Sequence, residues 1–182
     1  MNYKTTPTSA LIVACKKKDQ KAQMELYQRF HTPLYQAAFG ILKNPEDALD
    51  AMQEGLIIAF DKLSQFEGKG SFEGWLRKIV IRKSIALYHQ KKRFISLDAS
   101  KEEIPQPEEE EQISVSPQNI NAQQLGLALD RLKDHYALIL KLYYLEGYSH
   151  QEISSIMNWS SSKSRTLLSR AKTALKKQLN DR

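Results

Sequence analysis

The sequence predicts an all-α chain of two small helical domains, residues 8–93 and 121–180, joined by a flexible acidic linker over 94–120, with a helix-turn-helix in the second domain. Three observations carry that reading. Apolar residues recur every three or four positions through most of the chain, and the alternation expected of strands is scarce. The stretch "SLDASKEEIPQPEEEEQISVSPQN" breaks this pattern with three prolines and seven acids. Beyond it, a capped apolar helix leads through "NWS" into a basic, hydroxyl-rich segment.

The elements follow in order. "DQKAQMELYQRFHTPLYQAAFGIL" places Ala22, Leu26, Phe30, Leu34 and Ala38 on one face, which predicts one long helix kinked at Pro33, or two helices. "NPEDALDAMQEGLIIAFDKLSQF" opens with Asn44 as N-cap, Pro45 at the first helical position, and Glu46 and Asp47 against the positive end of the dipole. Its expected buried stripe is Leu49, Met52, Leu56, Ala59, Phe60 and Leu63. Gly55 interrupts that helix, at a cost of roughly 1 kcal/mol relative to Ala. "SFEGWLRKIVIRKSIALYHQKKR" predicts a third helix that buries Leu76, Ile79, Val80 and Ile85 and ends in a basic cluster.

Proline fixes the backbone and like charges repel, so the segment around Glu108–Glu111 reads as an extended, solvated spacer. The alternative is an acidic mimic of nucleic acid that transiently covers a basic surface. After it, Leu125, Leu129 and Leu132 predict one helix, and "YALILKLYYLEG" a second ended by Gly147. Ser149 and Glu152 have capping-box spacing and start a third, with Ile153, Ile156 and Met157 inward. Ser160 or Ser161 caps the last helix, whose buried positions are Leu168, Ala171, Leu175 and Leu179.

Charge narrows the function. The net charge of +6 is distributed as +7 over residues 1–93, −6 over 94–121 and +5 over 122–182. Two basic blocks flanking an acidic segment favour polyanion binding, since Lys and Arg contacts to phosphates release condensed counterions. The single cysteine, Cys15, excludes an internal disulfide and most Cys-based metal sites. His31, His89, His135 and His150 are scattered without HExxH or CxxC spacing, so no metal, cofactor or catalytic constellation is expected. "GKGS" lacks the order of a phosphate-binding P-loop. "LIIAF" is far too short to span a membrane, and "MNYKTTPTS" has no apolar run behind a basic start. No membrane insertion and a cytoplasmic location are the expectations.

Three sets of residues carry the candidate chemistry. In a helix-turn-helix the first turn of the second helix meets base edges, which suits Ser161, Ser162, Lys163, Arg165 and Thr166. Arg170 and Lys172, further along, suit phosphates. In the third segment, Phe72, Trp75 and Tyr88 interleave with Arg77, Lys78, Arg82, Lys83, Lys91, Lys92 and Arg93. Aromatics that stack unpaired bases beside cations that hold the backbone are what gripping a melted strand requires; a core role for Phe72 and Trp75 is the competing reading. Asp47, Asp50 and Glu54, with Gln53 beside them, form an acidic face on an otherwise basic domain, suited to docking a basic protein surface; an ordinary solvated face is the competing reading.

With those residues in place, the chain from about Asp19 to Leu179 resembles the extracytoplasmic-function (ECF) group of sigma-70-type factors, the promoter-recognition subunits of bacterial RNA polymerase. "DALDAMQEGLIIAF" is similar to the family's "DAEDLVQEVFLRAW" helix, which implies that Asp50, Gln53 and Glu54 contact the clamp coiled coil of the polymerase β′ subunit. "FEGWLRKIVIRKSIALYHQKKR" resembles "FxxWLxxIAxNxxxDxxR", the segment that opens and holds the minus-10 element. "LDRLKDHYALILKLYYLEGYSHQEISSIMNWSSSKSRTLLSRAKTAL" resembles the domain that reads the minus-35 element. The sequence departs from the family at Leu49, where an acid is usual, at Arg82 for Asn, at Ala86 for Asp, and in "SSSKSR" for "SxGTVKSR". The resemblance implies core polymerase, including its β subunit, and promoter DNA as partners, and leaves room for an anti-sigma factor. The alternative class is a stand-alone helix-turn-helix transcriptional regulator, which would need neither the acidic face nor the aromatic-basic segment.

Overall fold

Helical spacing becomes helix throughout the residues that the computed structural model describes, 3–96 and 121–180, and no strand occurs among them. The chain divides into two compact units, Met1–Ser100 and Lys101–Arg182, each with a core of its own.

The first unit holds α1 (Thr8–Lys16), α2 (Gln20–Leu42), α3 (Pro45–Asp61), a 3-10 turn at Leu63–Gln65, and α4 (Phe72–Ser96). Asp19 caps α2: its Oδ1 accepts from the N–H groups of Lys21 and Ala22 at 2.9 and 3.1 Å, and its Oδ2 from the Tyr3 hydroxyl at 2.8 Å. Those donors, the Ala22 N–H first, hold the Asp19 carboxyl below its ordinary pKa. The Arg29 guanidinium donates to the carbonyls of Tyr3, Lys4 and Thr6, so the segment ahead of α1 is tied to α2 as well. α2 runs through Pro33 as one helix and ends where Lys43 turns left-handed at φ 52°. The expected face is there, with Ala22, Leu26, Leu34 and Ala38 buried and Phe30 half-buried.

α3 begins as its sequence dictates, with Asn44 Oδ1 accepting from the Asp47 N–H at 3.0 Å and Pro45 leading the helix. Its buried stripe is Ala48, Ala51, Met52, Gly55, Leu56 and Ala59. Leu49 is a correction: it is 41% exposed, because the stripe is centred on small residues that let α3 approach its neighbours, which leaves Leu49 outside it. Gly55 gains a reason too. A Cβ there would lie 2.7 Å from Val80 Cγ2 and 3.0 Å from Val80 Cα on α4. The glycine therefore sets the α3–α4 spacing rather than merely weakening a helix.

On α4, Leu76, Val80, Ile81 and Ile85 are buried, Ile79 packs at the core's margin, and the buried Ser84 hydroxyl donates to the Val80 carbonyl at 2.9 Å. The helix continues to Ser96, three residues past the expected boundary at 93. The rest of the acidic linker, including Glu108–Glu111, lies outside the described residues.

The second unit holds α5 (Ala122–Asp130), α6 (Asp134–Leu140) with a π-helical turn at Lys141–Leu145, α7 (His150–Met157) and α8 (Ser161–Asn180). The single helix expected over "YALILKLYYLEG" is thus an α-helix that widens, with the Glu146 N–H reaching the Lys141 carbonyl at 3.0 Å. Gly147 ends it at φ 69°, in the region glycine favours. α5 stops at Asp130, before Leu132, and Leu125 keeps 36% of its surface exposed while Leu132 is buried. Leu132, Ile139, Leu140, Leu167, Leu168 and Ala171 make the core, and Leu175 is only half-buried against it. No helix among the described residues is long and apolar enough to cross a membrane.

Candidate nucleic-acid interface

The turn between α7 and α8 is fixed by local chemistry. The Ser149 hydroxyl accepts from the Glu152 N–H at 3.2 Å while the Glu152 carboxylate accepts from the Ser149 N–H at 2.9 Å, closing the capping box. Asn158 ends α7 in the left-handed region at φ 55°, a conformation asparagine tolerates better than most residues. Ser160 then caps α8, its hydroxyl accepting from the Lys163 N–H at 3.1 Å. Two contacts that sequence reasoning missed brace the turn. The Ser164 hydroxyl, fully buried, shares a 3.0 Å hydrogen bond with His150 Nδ1. The Lys163 ammonium sits 5.3 Å from the centre of the Trp159 ring, a cation–π distance. The first pair has no sequence signature, because it joins α7 to α8; the second lies at i, i+4 between the turn and α8, a spacing the sequence does carry.

That scaffold presents Ser162, Arg165 and Thr166 as exposed side chains in the first turns of α8, with Ser161 and Lys163 half-buried beside them. Arg170 is half-buried and Lys172 exposed further along. Lys172 also borders an open apolar groove of about 320 Å³, floored by Leu125, Leu129, Leu140 and Leu175 and edged by Lys141 and Lys176. Sequence reasoning had no means to see it, since α5, α6 and α8 each supply part.

In α4 the candidate residues separate by direction. Phe72 is a correction: at 6% exposure it is a core residue, packed at 5.2–5.8 Å between ring centres against Phe30, Phe66 and Trp75, and cannot stack a base from there. Trp75 is half-buried in the same cluster. Arg77 reaches inward, with its Nη1 3.5 Å from the Pro33 carbonyl. Lys78 and Arg82, one turn apart, are exposed. Tyr88 is half-buried, with the Lys92 ammonium 5.3 Å from its ring centre. Lys83 and Lys91 turn toward α3, where Lys83 pairs with Glu54 and Lys91 with Asp47. Arg93 lies in α4, and its side chain is outside what is described.

The α3 face is acidic and apolar together. Asp50, Gln53 and Glu54 are exposed, whereas Asp47 is largely covered, its side chain only 16% exposed beneath Lys91. Leu49 and Ile57, at 41% and 61% exposure, flank Gln53 one turn to either side. Exposed acids and exposed aliphatics therefore share this face of α3. Among the described residues no group of His, Cys, Asp or Glu is arranged to hold a metal ion.

Comparison with known proteins matches this geometry. The family model for Sigma-70 region 2 matches residues 26–94, and that for Sigma-70, region 4 matches residues 122–175. The chain is 28% identical over 156 residues to the RNA polymerase sigma factor YlaC of Bacillus subtilis (strain 168), covering 85% of this chain and 90% of that one. It is 28% identical over 181 residues to the ECF RNA polymerase sigma factor SigW of the same organism, covering 91% and 93%. Among solved structures, the sigma factor RpoE in complex with the anti-sigma factor NepR from Bartonella quintana shares the fold at TM-score 0.53 and 19% identity, over 87% of this chain and 98% of that one. CnrH in complex with the cytosolic domain of CnrY does so at TM-score 0.51 and 20% identity, over 94% and 96%.

Proposed function

Since this chain belongs to the ECF group of the sigma-70 family, we propose a division of labour for its surfaces in promoter recognition by RNA polymerase. The chain is a promoter-recognising sigma factor. The α3 face of Asp50, Gln53 and Glu54, with Leu49 and Ile57 beside them, docks on the β′ clamp coiled coil. The exposed side of α4, led by Lys78 and Arg82, takes the opened minus-10 strand, with Lys83, Tyr88, Lys91, Lys92 and Arg93 along the same helix. Ser161, Ser162, Lys163, Arg165 and Thr166 read the minus-35 element, and Arg170 and Lys172 hold its phosphates. The apolar groove of α5, α6 and α8 is assigned to the β subunit.

The observation that carries this reading is a coincidence of position. The region 2 match takes in α3 and nearly all of α4, the helices that carry the exposed acids and the exposed cations. The region 4 match covers the helix-turn-helix. The sigma role needs no catalytic step by this chain, and its place of work is the cytoplasm, where the polymerase is. The two solved structures are a sigma factor in complex with an anti-sigma factor and CnrH in complex with the cytosolic domain of CnrY, and an anti-sigma partner is part of the proposal for this chain. Transcription by purified core polymerase over a library of promoter fragments tests the whole. Added chain should create start sites that share upstream minus-10 and minus-35 elements. Specific duplex binding by the chain with no effect on the polymerase would favour the stand-alone regulator instead.

A further inference from the structure

Residues 1–29 hold six lysines and arginines against two acids, and four of the lysines gather at one corner, where α1 gives way to α2: Lys16, Lys17, Lys18 and Lys21. Backbone hydrogen bonds fold that corner tightly. The Lys17 N–H reaches the Ala14 carbonyl at 3.0 Å, the Lys18 N–H the Cys15 carbonyl at 2.9 Å, and the Asp19 N–H the Ala14 carbonyl at 3.3 Å. All four lysines are exposed, and none of their ammonium groups has an ion-pair partner among the described residues. The two acids are engaged elsewhere: Asp19 caps α2 and holds the Tyr3 hydroxyl, and Glu25 pairs with Arg29 at 2.8 Å. A solvated helix end accounts for part of the cluster, since Lys16 and Lys17 complement the negative C-terminal end of α1. It does not account for the rest. Lys18 takes the left-handed conformation at φ 62°, which disfavours a residue with a side chain. Lys21 stands in the first turn of α2, where the helix dipole opposes a cation. Local structure gives no reason to gather these charges, so the reason lies in a ligand outside the chain.

We propose that the α1–α2 corner is a sequence-independent anchor for the phosphate backbone of duplex DNA, separate from the strand and base contacts of α4 and α8. The inference rests on the function proposed above and extends it to a surface which that function does not use: the corner lies ahead of residue 26, where the region 2 match begins. The residue types decide the partner. Lysine is a flexible point charge that meets a phosphate without demanding a base or a fixed orientation. An unpaired strand needs stacking platforms beside its cations, and protein interfaces favour arginine and aromatics over lysine. Residues 16–21 contain no aromatic and no arginine. What remains is the regular row of charges on a double helix, where each neutralised phosphate releases condensed counterions.

The test uses the full chain and a short fluorescent duplex of arbitrary sequence, followed by anisotropy across a salt series. Lys17→Gln, Lys18→Gln and Lys21→Gln together strip the corner and leave Lys16 to the end of α1. Lys43→Gln, Lys62→Gln and Lys69→Gln remove the same charge from other exposed positions of the first unit. The corner variant should bind several-fold more weakly than this control, with a log–log salt slope shallower by about 2.7, for three phosphate contacts at roughly 0.9 each. Matched and scrambled duplexes should lose alike, so their affinity ratio stays fixed, whereas Arg165→Ala at the base-reading surface should change that ratio. The melting temperature of the corner variant should equal or exceed that of wild type, because like charges have been removed; a fall would show that the lysines serve the fold and would overturn the anchor. Equal affinity and slope in the two charge-removed variants would overturn it too, while leaving the α8 assignment to the Arg165→Ala result. Polyglutamate that displaces the duplex from wild type at equal charge concentration, and fails to bind the corner variant, would give the corner to an acidic protein instead.

Discussion

Gly55→Ala puts the packing of α3 on α4 to a test in which sequence and structure demand opposite signs. Helix propensity alone says the substitution stabilises, by about 1 kcal/mol. The structure places the new methyl 2.7 Å from Val80 Cγ2 and 3.0 Å from Val80 Cα. Valine in a helix is nearly confined to one rotamer, and the second contact is to backbone, so neither atom can swing aside. Relief requires the helices to part. Overpacking of this kind costs roughly 1–3 kcal/mol, and with both contacts rigid the upper part of that range applies. The net expectation is a loss of about 1–2 kcal/mol, or several degrees in Tm for a unit of this size, at roughly 4–8 °C per kcal/mol. In a Trp159→Phe background, Trp75 fluorescence follows the first unit alone during urea or thermal unfolding. Val80→Ala removes one of the two contacts, so the double variant should be less destabilised than the sum of the singles, by at least about 0.5 kcal/mol. A Gly55→Ala protein that melts at or above the wild-type temperature would refute the steric argument.

Three further outcomes follow from the surfaces. Arg165→Ala, at an exposed position in the first turns of α8, should cost roughly 1–3 kcal/mol on a matched duplex and less on an unmatched one, whereas Arg170→Ala should weaken both alike; competition binding with matched and scrambled duplexes separates them. Lys78→Ala with Arg82→Ala should leave closed-complex formation largely intact and reduce permanganate reactivity of unpaired thymines on a paired promoter, while a pre-melted bubble should rescue much of the loss. Asp19, whose folded pKa lies below its ordinary value through the Ala22 N–H and the Tyr3 hydroxyl, contributes stability that is present above the unfolded value of 3.8 and lost as pH falls through the folded one. Asp19→Asn keeps a capping side chain but cannot titrate, so its melting temperature should fall less steeply than wild type from about pH 5 down to pH 2.

What the sequence made legible was what depends on neighbours along the chain. The Asn44 and Ser149 caps, the Gly147 stop and the inward Leu26, Leu34, Val80 and Ile153 all rest on spacing within one or two turns, and spacing is written in the sequence. What it concealed depends on side chains from separate elements meeting. Leu49 looked like core because large aliphatics dominate periodicity, yet the seam of α3 is lined by Ala48, Ala51 and Gly55. Phe72 looked like a stacking platform because its neighbours are basic, yet α2 and the loop at Phe66 close over it. The His150–Ser164 bond depends on the turn geometry that brings α7 to α8.

The same distinction explains why Gly55 and the two ion pairs belong to one argument. A lysine and a carboxylate on adjacent helices meet only if the helix axes are close enough for both side chains to span the gap. Small residues along the α3 seam bring the axes in, and at Gly55 the approach of Val80 leaves no room even for a methyl. Moving the helices apart there would lengthen the reach from Glu54, next to Gly55, to Lys83, one turn beyond Val80, before it disturbed Asp47 and Lys91 at the far end. Gly55→Ala should therefore do more than destabilise the first unit. The coupling energy between Glu54 and Lys83 in a double-mutant cycle should shrink in that background. An undiminished coupling would show that the pair does not depend on helix spacing.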